Sequence, residues 1–551
     1  MQRFVVVGLN LLLCYGVIIL ASRKLDPRFL ELVHSPVVQE HGIYTRDNMI
    51  PVERGQKDTP NIVILFADDM GWGDMGANSP TSYVHTPTLD SLAAKGIRFT
   101  DFHSGAATCS PSRASLLTGR LGLRNGVVRN FEPDSIGGLP LNETTLADVA
   151  RRKGYTTGMI GKWHLGINGL YHPIHRGFET YYGLPYSNDM GCIDSYCYNS
   201  PEQTKCPTKL NQNITANGVK NITSWMNIGV PLYDDLKIIE QPVNITILSS
   251  RYAERARSFI SRNAKKSFLL YVAFAHMHVP LAFQTDEGFL PYQNTLYELD
   301  ETVKTIHQAL INSGVEENTL IWFASDNGPW ELKCEYSGSA GPFKGDWQRR
   351  AEGGGGGSAS KQTVWEGGHR VPSFIYWPQV IKEGWVSAAL ASTLDILPTV
   401  ASLIRAPLPP GRAFDGVDLT PVINGRQSNR NTVLFHPNSG AAGPEGEIGA
   451  ARVGPYKGVY YSGGSPACGG NTGPSQHHDP PLLFDLESDP SESSPLSPTS
   501  PNFGKVMKVI KKELQNLHYS LKVDNKSQAD YTQNPSLTPC CSVFEPACRC
   551  H

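Results

Sequence analysis

The sequence predicts an α/β protein in which short buried strands alternate with helices. Runs of β-branched and aromatic residues, typical of strands buried on both faces, occur at 61–66, 268–274 and 319–324, and 156–160 is predicted to be a further short strand. Helical patterns separate them, at 87–95, 145–153, 251–263 and 295–312. Each strand runs directly into polar side chains, and the carboxyl edge of an open α/β sheet is where ligand sites lie. Polar residues that merely open loops would explain one such strand but explain four poorly.

Length and charge narrow the class of protein. At 551 residues the chain exceeds one ordinary core, so we expect a large domain and a smaller one. The net charge of −2 argues against a nucleic-acid binder. The 16 histidines would add positive charge in acid, so an acidic compartment would make the protein more attractive to a polyanion.

The amino terminus predicts entry into the secretory pathway. Residues 4–21 are an apolar run with Arg3 before it and Arg23 and Lys24 after it. We interpret residues 1–21 as a signal peptide, with an uncleaved anchor as the alternative. Residues 22–59 show no clear periodicity and are predicted to be an extended lead-in.

Sequons and cysteines agree with an oxidising compartment. Asn-x-Ser/Thr acceptor sites for glycosylation occur at Asn142, Asn213, Asn221, Asn244 and Asn525. Apart from Cys14 in the leader and Cys109, nine cysteines remain, within 192–206, within 540–550, and at 334 and 468. We predict disulfides rather than zinc, because no C-x-x-C pair has accompanying histidines at metal-site spacing. Nine is odd, so one thiol is left over.

The most informative stretch is Cys-Ser-Pro-Ser-Arg-Ala-Ser-Leu-Leu-Thr-Gly-Arg, residues 109–120. Pro111 suits the first turn of a helix, which places Cys109 just before the helix amino terminus, where negative charge is favoured. Arg113 lies about one turn on and so shares a helix face with Cys109. In an arbitrary sequence, such spacing more often means a buried thiol beside a surface arginine.

This stretch resembles the signature of the sulfatase family, in which the cysteine is oxidised to formylglycine during secretion. The resemblance covers about residues 60–551. It implies an alkaline-phosphatase-like α/β fold: a large, mostly parallel sheet flanked by helices at 60–428, and a smaller C-terminal α+β domain on an antiparallel sheet at 429–551. The Pro- and Gly-rich segment 405–430 fits such a boundary. Beyond it, strands are predicted at 433–436, 456–461 and 482–486 and an amphipathic helix near 505–521.

Two clusters of oxygen donors predict a metal site. Asp68 and Asp69 follow the first strand, and Asp326 and Asn327 follow the fourth. Ligands that are all oxygen suit calcium or magnesium better than zinc. An isolated Asp-Asp pair is more often a turn or a cap, but both clusters match the sulfatase metal site. The resemblance implies one calcium ion, with the formylglycine at position 109 as a further ligand.

The resemblance also implies roles for the remaining polar residues. The catalytic positions are Cys109, Arg113, Lys162, His164, His278 and Lys361. The substrate-contacting positions are Lys162, Ser187, His278 and Lys361. Lys162 and Arg113 would steady the formylglycine oxygens, and His164 would act as the base. Ser187 is equally compatible with an ordinary loop serine, and His276 is interpreted as structural.

The implied activity is hydrolysis of sulfate monoesters. One hydroxyl of the hydrated aldehyde attacks sulfur, and deprotonation of the other then releases sulfate, which divides a hard hydrolysis into two easier steps. The implied setting is the lysosome, or secretion, with formylglycine-generating enzyme as a partner. The implied substrate is an aryl sulfate or a sulfated glycan, and the resemblance points in particular to the 3-O-sulfate of terminal N-sulfoglucosamine in heparan sulfate. No nucleic acid is expected, and no stable membrane partner if the leader is cleaved.

Two other classes remain open on the sequence alone. Phosphonate and phosphodiester hydrolases of the same superfamily share the metal and the formylglycine. A glycan-binding protein with a decayed site is the third class, although every expected catalytic residue type is present. One local feature bears on the site: residues 337–360, which contain the Gly353–Gly357 run, are predicted to be a flexible surface loop, and this Gly-rich loop could displace Lys361.

Overall fold

The computed structural model describes residues 59–79, 84–198, 205–209, 224–426 and 433–550. The predicted leader, the lead-in up to residue 58, and the sequons at Asn213 and Asn221 lie outside these ranges. No helix among the residues described is both long and apolar enough to cross a bilayer.

The strands of the described chain form one large sheet, one small sheet and a two-stranded pair. In chain order they are β1 (Asn61–Ala67), β2 (Ile97–Phe99), β3 (Phe102–His103), β4 (Thr156–Gly161), β5 (Thr180–Gly183), β6 (Leu232–Asp234), β7 (Lys237–Glu240), β8 (Phe268–Ala273), β9 (Thr319–Ser325), β10 (Ser373–Tyr376), β11 (Trp385–Ser387), β12 (Ala391–Ser392), β13 (Val433–Pro437), β14 (Ile448–Val453), β15 (Tyr456–Ser462) and β16 (Gln476–Asp485).

Helices of the described chain cover both faces of the large sheet, and the last one packs on the small sheet. They are α1 (Pro87–Lys95), α2 (Cys109–Thr118), α3 (Gly122–Asn125), α4 (Leu146–Arg152), α5 (Leu248–Asn263), α6 (Pro291–Asn312), α7 (Asp346–Arg349), α8 (Glu366–His369), α9 (Ile396–Leu403), α10 (Thr420–Ile423) and α11 (Pro501–Val523).

The large sheet has ten strands in the order β11-β2-β10-β9-β1-β8-β4-β5-β6-β7. Its five central strands, β9-β1-β8-β4-β5, are mutually parallel, whereas β10 and β6 join them antiparallel, so the sheet as a whole is mixed. Along β1, Ile62 and Ile64 enter one apolar core and Val63 and Leu65 enter the other. Burial on both faces is why β1, β8 and β9 are almost continuously apolar, and it confirms the α/β prediction.

The predicted strands and helices of this sheet are confirmed with small shifts. The four predicted strands are β1, β4, β8 and β9, and α1 has the predicted bounds. Helix α6 begins at Pro291, four residues before the predicted start, because proline is well suited to the first turn of a helix.

The carboxyl-terminal part forms an antiparallel sheet in the order β13-β14-β15-β16, with α11 packed on it through Phe503, Val506 and Ile510. Strand β14 was not predicted. Its sequence, Ile-Gly-Ala-Ala-Arg-Val, is rich in small residues with low strand propensity. The small residues are needed there: a Cβ on Gly449 would lie 2.6 Å from Cγ1 of Val364.

The glycine run at 353–357 is held in place, in contrast to the flexible loop predicted. The Gly354 and Gly356 N–H groups donate to the carbonyl oxygens of Trp347 and Gln348, at 2.9 and 3.0 Å. Gly357 has a φ of +90°, and a Cβ there would lie 2.3 Å from the carbonyl oxygen of Thr472. Glycine is therefore required for close packing on the C-terminal region, and the run does not carry the following segment away from the sheet.

The cysteine prediction is confirmed within the described residues. Disulfides join Cys192 to Cys206, Cys334 to Cys468, Cys540 to Cys548, and Cys541 to Cys550. Cys197 is the leftover thiol, and Cys109 is also unpaired. The three sequon asparagines described, Asn142, Asn244 and Asn525, are exposed, and their glycosylation remains a prediction.

A cluster of buried histidines lies where the large sheet and its helices meet the C-terminal sheet. The His436 ring lies 4.1 Å from that of His369 and 5.4 Å from that of His103, measured between centroids. All three rings are buried, and neither ring nitrogen of His436 has a hydrogen-bond partner among the described residues. Three cationic and three carboxylate side chains surround them: Arg370, Arg452, Lys457, Asp101, Glu366 and Glu492.

This environment keeps the histidines neutral. Burial, followed by the charge of Lys457, lowers the pKa of His369 to about 3. Burial and the neighbouring His369 hold the pKa of His436 well below its usual value. Unfolding in acid therefore takes up protons, so the stability that these groups contribute is complete above about pH 6.5 and is lost as the pH falls below it.

We expect His436→Leu to flatten the dependence of stability on pH. Each buried neutral histidine should cost about 2 kcal/mol of unfolding free energy between pH 7.5 and pH 5, because only the unfolded chain is protonated there. Denaturant unfolding of wild type and variant at both pH values measures this. The exposed His518→Leu serves as the control and should keep the wild-type slope. Identical slopes for wild type and His436→Leu would contradict the account.

Candidate active site

Two acidic clusters meet at the carboxyl edge of the large sheet. Strands β1 and β9 are parallel neighbours, and Ala67 pairs with Ser325 at their ends. The residues that follow therefore come together: the Asp69 N–H donates to Oδ1 of Asp326, at 3.1 Å. The edge carries Asp68, Asp69, Asp326 and Asn327, all fully or almost fully buried.

These residues fit a divalent cation. Nδ2 of Asn327 donates to Oδ1 of Asp69 at 2.7 Å, whereas Oδ1 of Asn327, also buried, has no hydrogen-bond partner among the described residues. Burial, and then the charge of Asp68, raises the pKa of Asp326 to about 7. A cation among these oxygens would relieve both conditions, and a set of carboxylate and amide oxygens suits calcium or magnesium.

Helix α2 brings Cys109 to the acidic edge. The helix begins at Cys109 itself, one position earlier than predicted, and ends at Thr118, capped by Gly119 with a φ of +67°. Sγ of Cys109 lies 3.5 Å from Oδ1 of Asp68. Asn130 accepts the Ser110 N–H at 2.9 Å and so satisfies a free donor of the first turn. Burial raises the pKa of the Cys109 thiol, so the unmodified side chain is a protonated thiol rather than a thiolate nucleophile.

Arg113 links the two acidic clusters. Its Nη2 lies 2.8 Å from Oδ2 of Asp326 and 3.4 Å from Oδ1 of Asp68. Its Nη1 donates to the carbonyl oxygen of Lys162 at 2.9 Å. Cys109 and Arg113 thus approach the same carboxylate, as their spacing on one helix face predicts.

The end of β4 supplies a cation and an imidazole. Nζ of Lys162 lies 2.6 Å from Oδ2 of Asp68 and 3.2 Å from Oγ of Ser187. Nε2 of His164 lies 3.2 Å from the carbonyl oxygen of Phe131, which can only accept, so we assign the hydrogen to Nε2. Nδ1 of His164 is then a proton acceptor, and it has no partner among the described residues. Burial and the charge of Lys162 hold the pKa of His164 well below its usual value, so the ring is neutral.

The opposite side of the site carries His278 and Lys361. Nζ of Lys361 lies 2.7 and 2.8 Å from the two carboxylate oxygens of Asp69. Nε2 of His278 lies 3.6 Å from Oδ2 of Asp69, and Ser187 Oγ lies 3.4 Å from its Nδ1. The predicted structural residue His276 contributes its carbonyl oxygen, which accepts the N–H of Asp68 at 2.8 Å.

The structure thus gathers the predicted residues around one buried group of charges. Three aspartates face the cations of Arg113, Lys162 and Lys361, so the site is neutral before a metal binds and carries +2 with a divalent ion. A positive buried pocket suits an anion removed from water. Their proximity is a structural result; the individual roles remain predictions.

Two neighbours of the site were not predicted. The indole of Trp330 lies 4.5 Å from Nζ of Lys361 and 5.3 Å from the His278 ring. Oδ1 of Asp189 lies 4.0 Å from Nδ1 of His278. Trp330 follows the Asp-Asn-Gly-Pro turn after β9, but from sequence alone an aromatic residue there cannot be told from a core residue.

Family models and curated relatives agree on one assignment. A family model described as "Sulfatase" matches residues 60–406, and one described as "C-terminal region of aryl-sulfatase" matches residues 428–550. Arylsulfatase G of Homo sapiens is 51% identical over 503 residues, which cover 90% of this chain and 94% of that protein. Arylsulfatase G of Rattus norvegicus is 51% identical over 497 residues, 89% and 93% of the two chains.

A solved structure agrees as well. The PsFucS1 sulfatase from Pseudoalteromonas sp. superposes with a TM-score of 0.71 at 26% identity, covering 86% of this chain and 92% of its own.

We expect Asn327→Leu to weaken divalent-cation binding, because it replaces an unpartnered buried ligand oxygen with an apolar group. At 100 times its dissociation constant, a bound cation adds about 2.7 kcal/mol to the unfolding free energy. Calcium titration by calorimetry, with the melting temperature followed with and without calcium, measures the loss. The exposed Asn424→Leu is the control. Calcium affinity unchanged in Asn327→Leu would contradict the metal assignment.

Proposed function

The chain belongs to the sulfatase family and is a sulfuric ester hydrolase, and on that premise we propose that it works through a formylglycine made from Cys109 beside a calcium ion. The observation that carries this proposal is the convergence of Cys109, Arg113 and Lys162 on the single carboxylate of Asp68. A thiol kept protonated by burial is a poor nucleophile, whereas the hydrate of an aldehyde made from it carries two hydroxyls, one of which can attack sulfur.

The chain's own residues would hold and offset the charges of the reaction. The calcium ligands would be Asp68, Asp69, Asp326, Asn327 and the modified residue 109, and the bound ion would supply Lewis-acid polarisation of the sulfate. Arg113, Lys162 and Lys361 supply positive charge, which offsets the cost of moving an anionic sulfate into a buried site. Ser187, whose Oγ lies within 3.4 Å of Lys162 and His278, would contact a sulfate oxygen.

Proton movements divide between two sides of the site. Beside helix α2, Nδ1 of the neutral His164 is an acceptor suited to take a proton from a hydroxyl of the hydrated residue 109. On the Asp69 side, the ammonium of Lys361 is a donor suited to the oxygen of the departing alcohol, with His278 beside it. Separate groups for attack and departure allow each to be in the correct protonation state at once.

The substrate we propose is a sulfated glycan, specifically the 3-O-sulfate of terminal N-sulfoglucosamine in heparan sulfate, with the lysosome as the place of action. The identity of about half the residues to arylsulfatase G over most of both chains supports this assignment. A neighbouring structure, Ps i-CgsB, was solved in complex with k-i-k-neocarrahexaose, and its TM-score to this chain is 0.65 at 25% identity. Formylglycine-generating enzyme would be the partner that prepares residue 109.

We expect Cys109→Ala to lower kcat for 4-nitrophenyl sulfate by a factor of about 10⁴ or more, since it removes the nucleophile. Cys197→Ala, which removes the other unpaired thiol of the described residues, should keep wild-type activity. Cys109→Ala should also lose, and Cys197→Ala should keep, sulfate release from a glucosamine-terminated heparan oligosaccharide that carries 3-O-sulfate. The 6-O-sulfated isomer is the substrate control.

Each outcome bears on a different part of the proposal. Retained activity in Cys109→Ala would overturn the formylglycine mechanism. Equal release from both isomers would overturn the 3-O assignment alone. Turnover of a 4-nitrophenyl phosphodiester in preference to 4-nitrophenyl sulfate would instead favour the diesterase alternative.

A further inference from the structure

Trp330 occupies a distinctive place beside the site. It follows the turn Asp-Asn-Gly-Pro at 326–329, which carries two of the proposed metal ligands, and it is half-buried. Nζ of Lys361 lies 4.5 Å from the centre of its indole ring, and the ring of His278 lies 5.3 Å away at an interplanar angle of 49°. One side chain therefore contacts both residues on the leaving-group side of the site.

The same turn anchors Lys361 at both ends. The Lys361 N–H donates to the carbonyl oxygen of Pro329, at 3.1 Å, which fixes the backbone next to Trp330. The lysine side chain is flexible, and its ammonium is a point charge that many geometries would satisfy. The electron-rich face of the indole and the carboxylate of Asp69 together restrict the ammonium to one position.

We propose that Trp330 is a positioning residue that holds Lys361 and His278 toward the oxygen of the departing alcohol. This inference rests on the proposed function, in which those two residues stabilise that oxygen. Stabilisation of the leaving oxygen by Lys361 and His278 matters more as that oxygen becomes more basic, because more negative charge collects on it as the S–O bond breaks. Loss of Trp330 should therefore harm poor leaving groups selectively.

The aromatic ring has a second cationic neighbour that provides a control. Nζ of Lys333 lies 4.6 Å from the ring of Trp330, nearly the same distance as Nζ of Lys361. Lys333 has no role in the proposed chemistry. Lys333→Met thus changes the surroundings of the indole and leaves the Asp69–Lys361 pair untouched.

The test compares Trp330→Leu with wild type on two aryl sulfates, phenyl sulfate with its more basic leaving oxygen and 4-nitrophenyl sulfate with its less basic one. We expect kcat for phenyl sulfate to fall at least about tenfold and kcat for 4-nitrophenyl sulfate to fall less than about threefold. Trp330→Phe, which keeps an aromatic face, should restore most of the difference. Lys333→Met should behave as wild type on both substrates.

A double-mutant comparison keeps the inference testable if Trp330→Leu is poorly folded. Trp330→Met, which has no aromatic face, is combined with Lys361→Met, and the loss caused by Trp330→Met on phenyl sulfate should shrink when Lys361 is already absent. Full additivity would overturn the positioning role.

Other results also count against it. An equal loss on both substrates would mean that Trp330 only supports the fold. A rise in KM with kcat unchanged would mean that the indole is a platform for the substrate. Wild-type protein that cleaves neither sulfate would overturn the proposed function, and this inference with it.

Discussion

Six buried charges at one edge of the sheet dictate much of the rest of the structure. Asp68, Asp69 and Asp326 are paired with Arg113, Lys162 and Lys361 at 2.6 to 2.8 Å, with little or no solvent contact. Such pairs add little net stability, because removing the charges from water costs about as much as their attraction returns. In the proposed reaction the three carboxylates would ligate a metal ion and the three cations would offset the charge of a sulfate, in a site where water does not screen them.

The fold brings these charges together through parallel strands. β1 and β9 deliver the carboxylates, β4 delivers Lys162 and His164, and the segment after β8 delivers His278, all at the same edge. The C-terminal region closes the arrangement from outside, since Oγ1 of Thr108, the residue before Cys109, donates to the carbonyl oxygen of Ser439 at 3.1 Å. Behind it, the buried histidine cluster around His436 ties the C-terminal sheet to α8, five residues after Lys361.

The sequence predicted the parts of this structure that repeat a local signal. Apolar runs predicted β1, β8 and β9, a short β-branched segment predicted β4, and the polar residues at their ends lie at one edge of the sheet, as expected. Strand β14 was not predicted because close packing on Val364 requires a small residue there, and small residues have low strand propensity. The packing of the glycine run and the position of Trp330 were not predicted for a related reason. Their partners, Thr472 and Lys361, are distant in sequence, so only the fold shows these contacts.

The central claim is that Cys109 is converted to formylglycine in the position where Asp68, Arg113 and Lys162 meet. Mass spectrometry of the tryptic peptide Phe99–Arg113 from protein secreted by cells tests it most directly. Conversion replaces the CH₂–SH group by an aldehyde, which loses sulfur and two hydrogens and gains oxygen, so the peptide should be about 18 Da lighter than the unmodified form. The account predicts that most of the peptide carries this loss. A peptide that retains the intact thiol, in protein whose Cys540–Cys548 disulfide has formed normally, would contradict it.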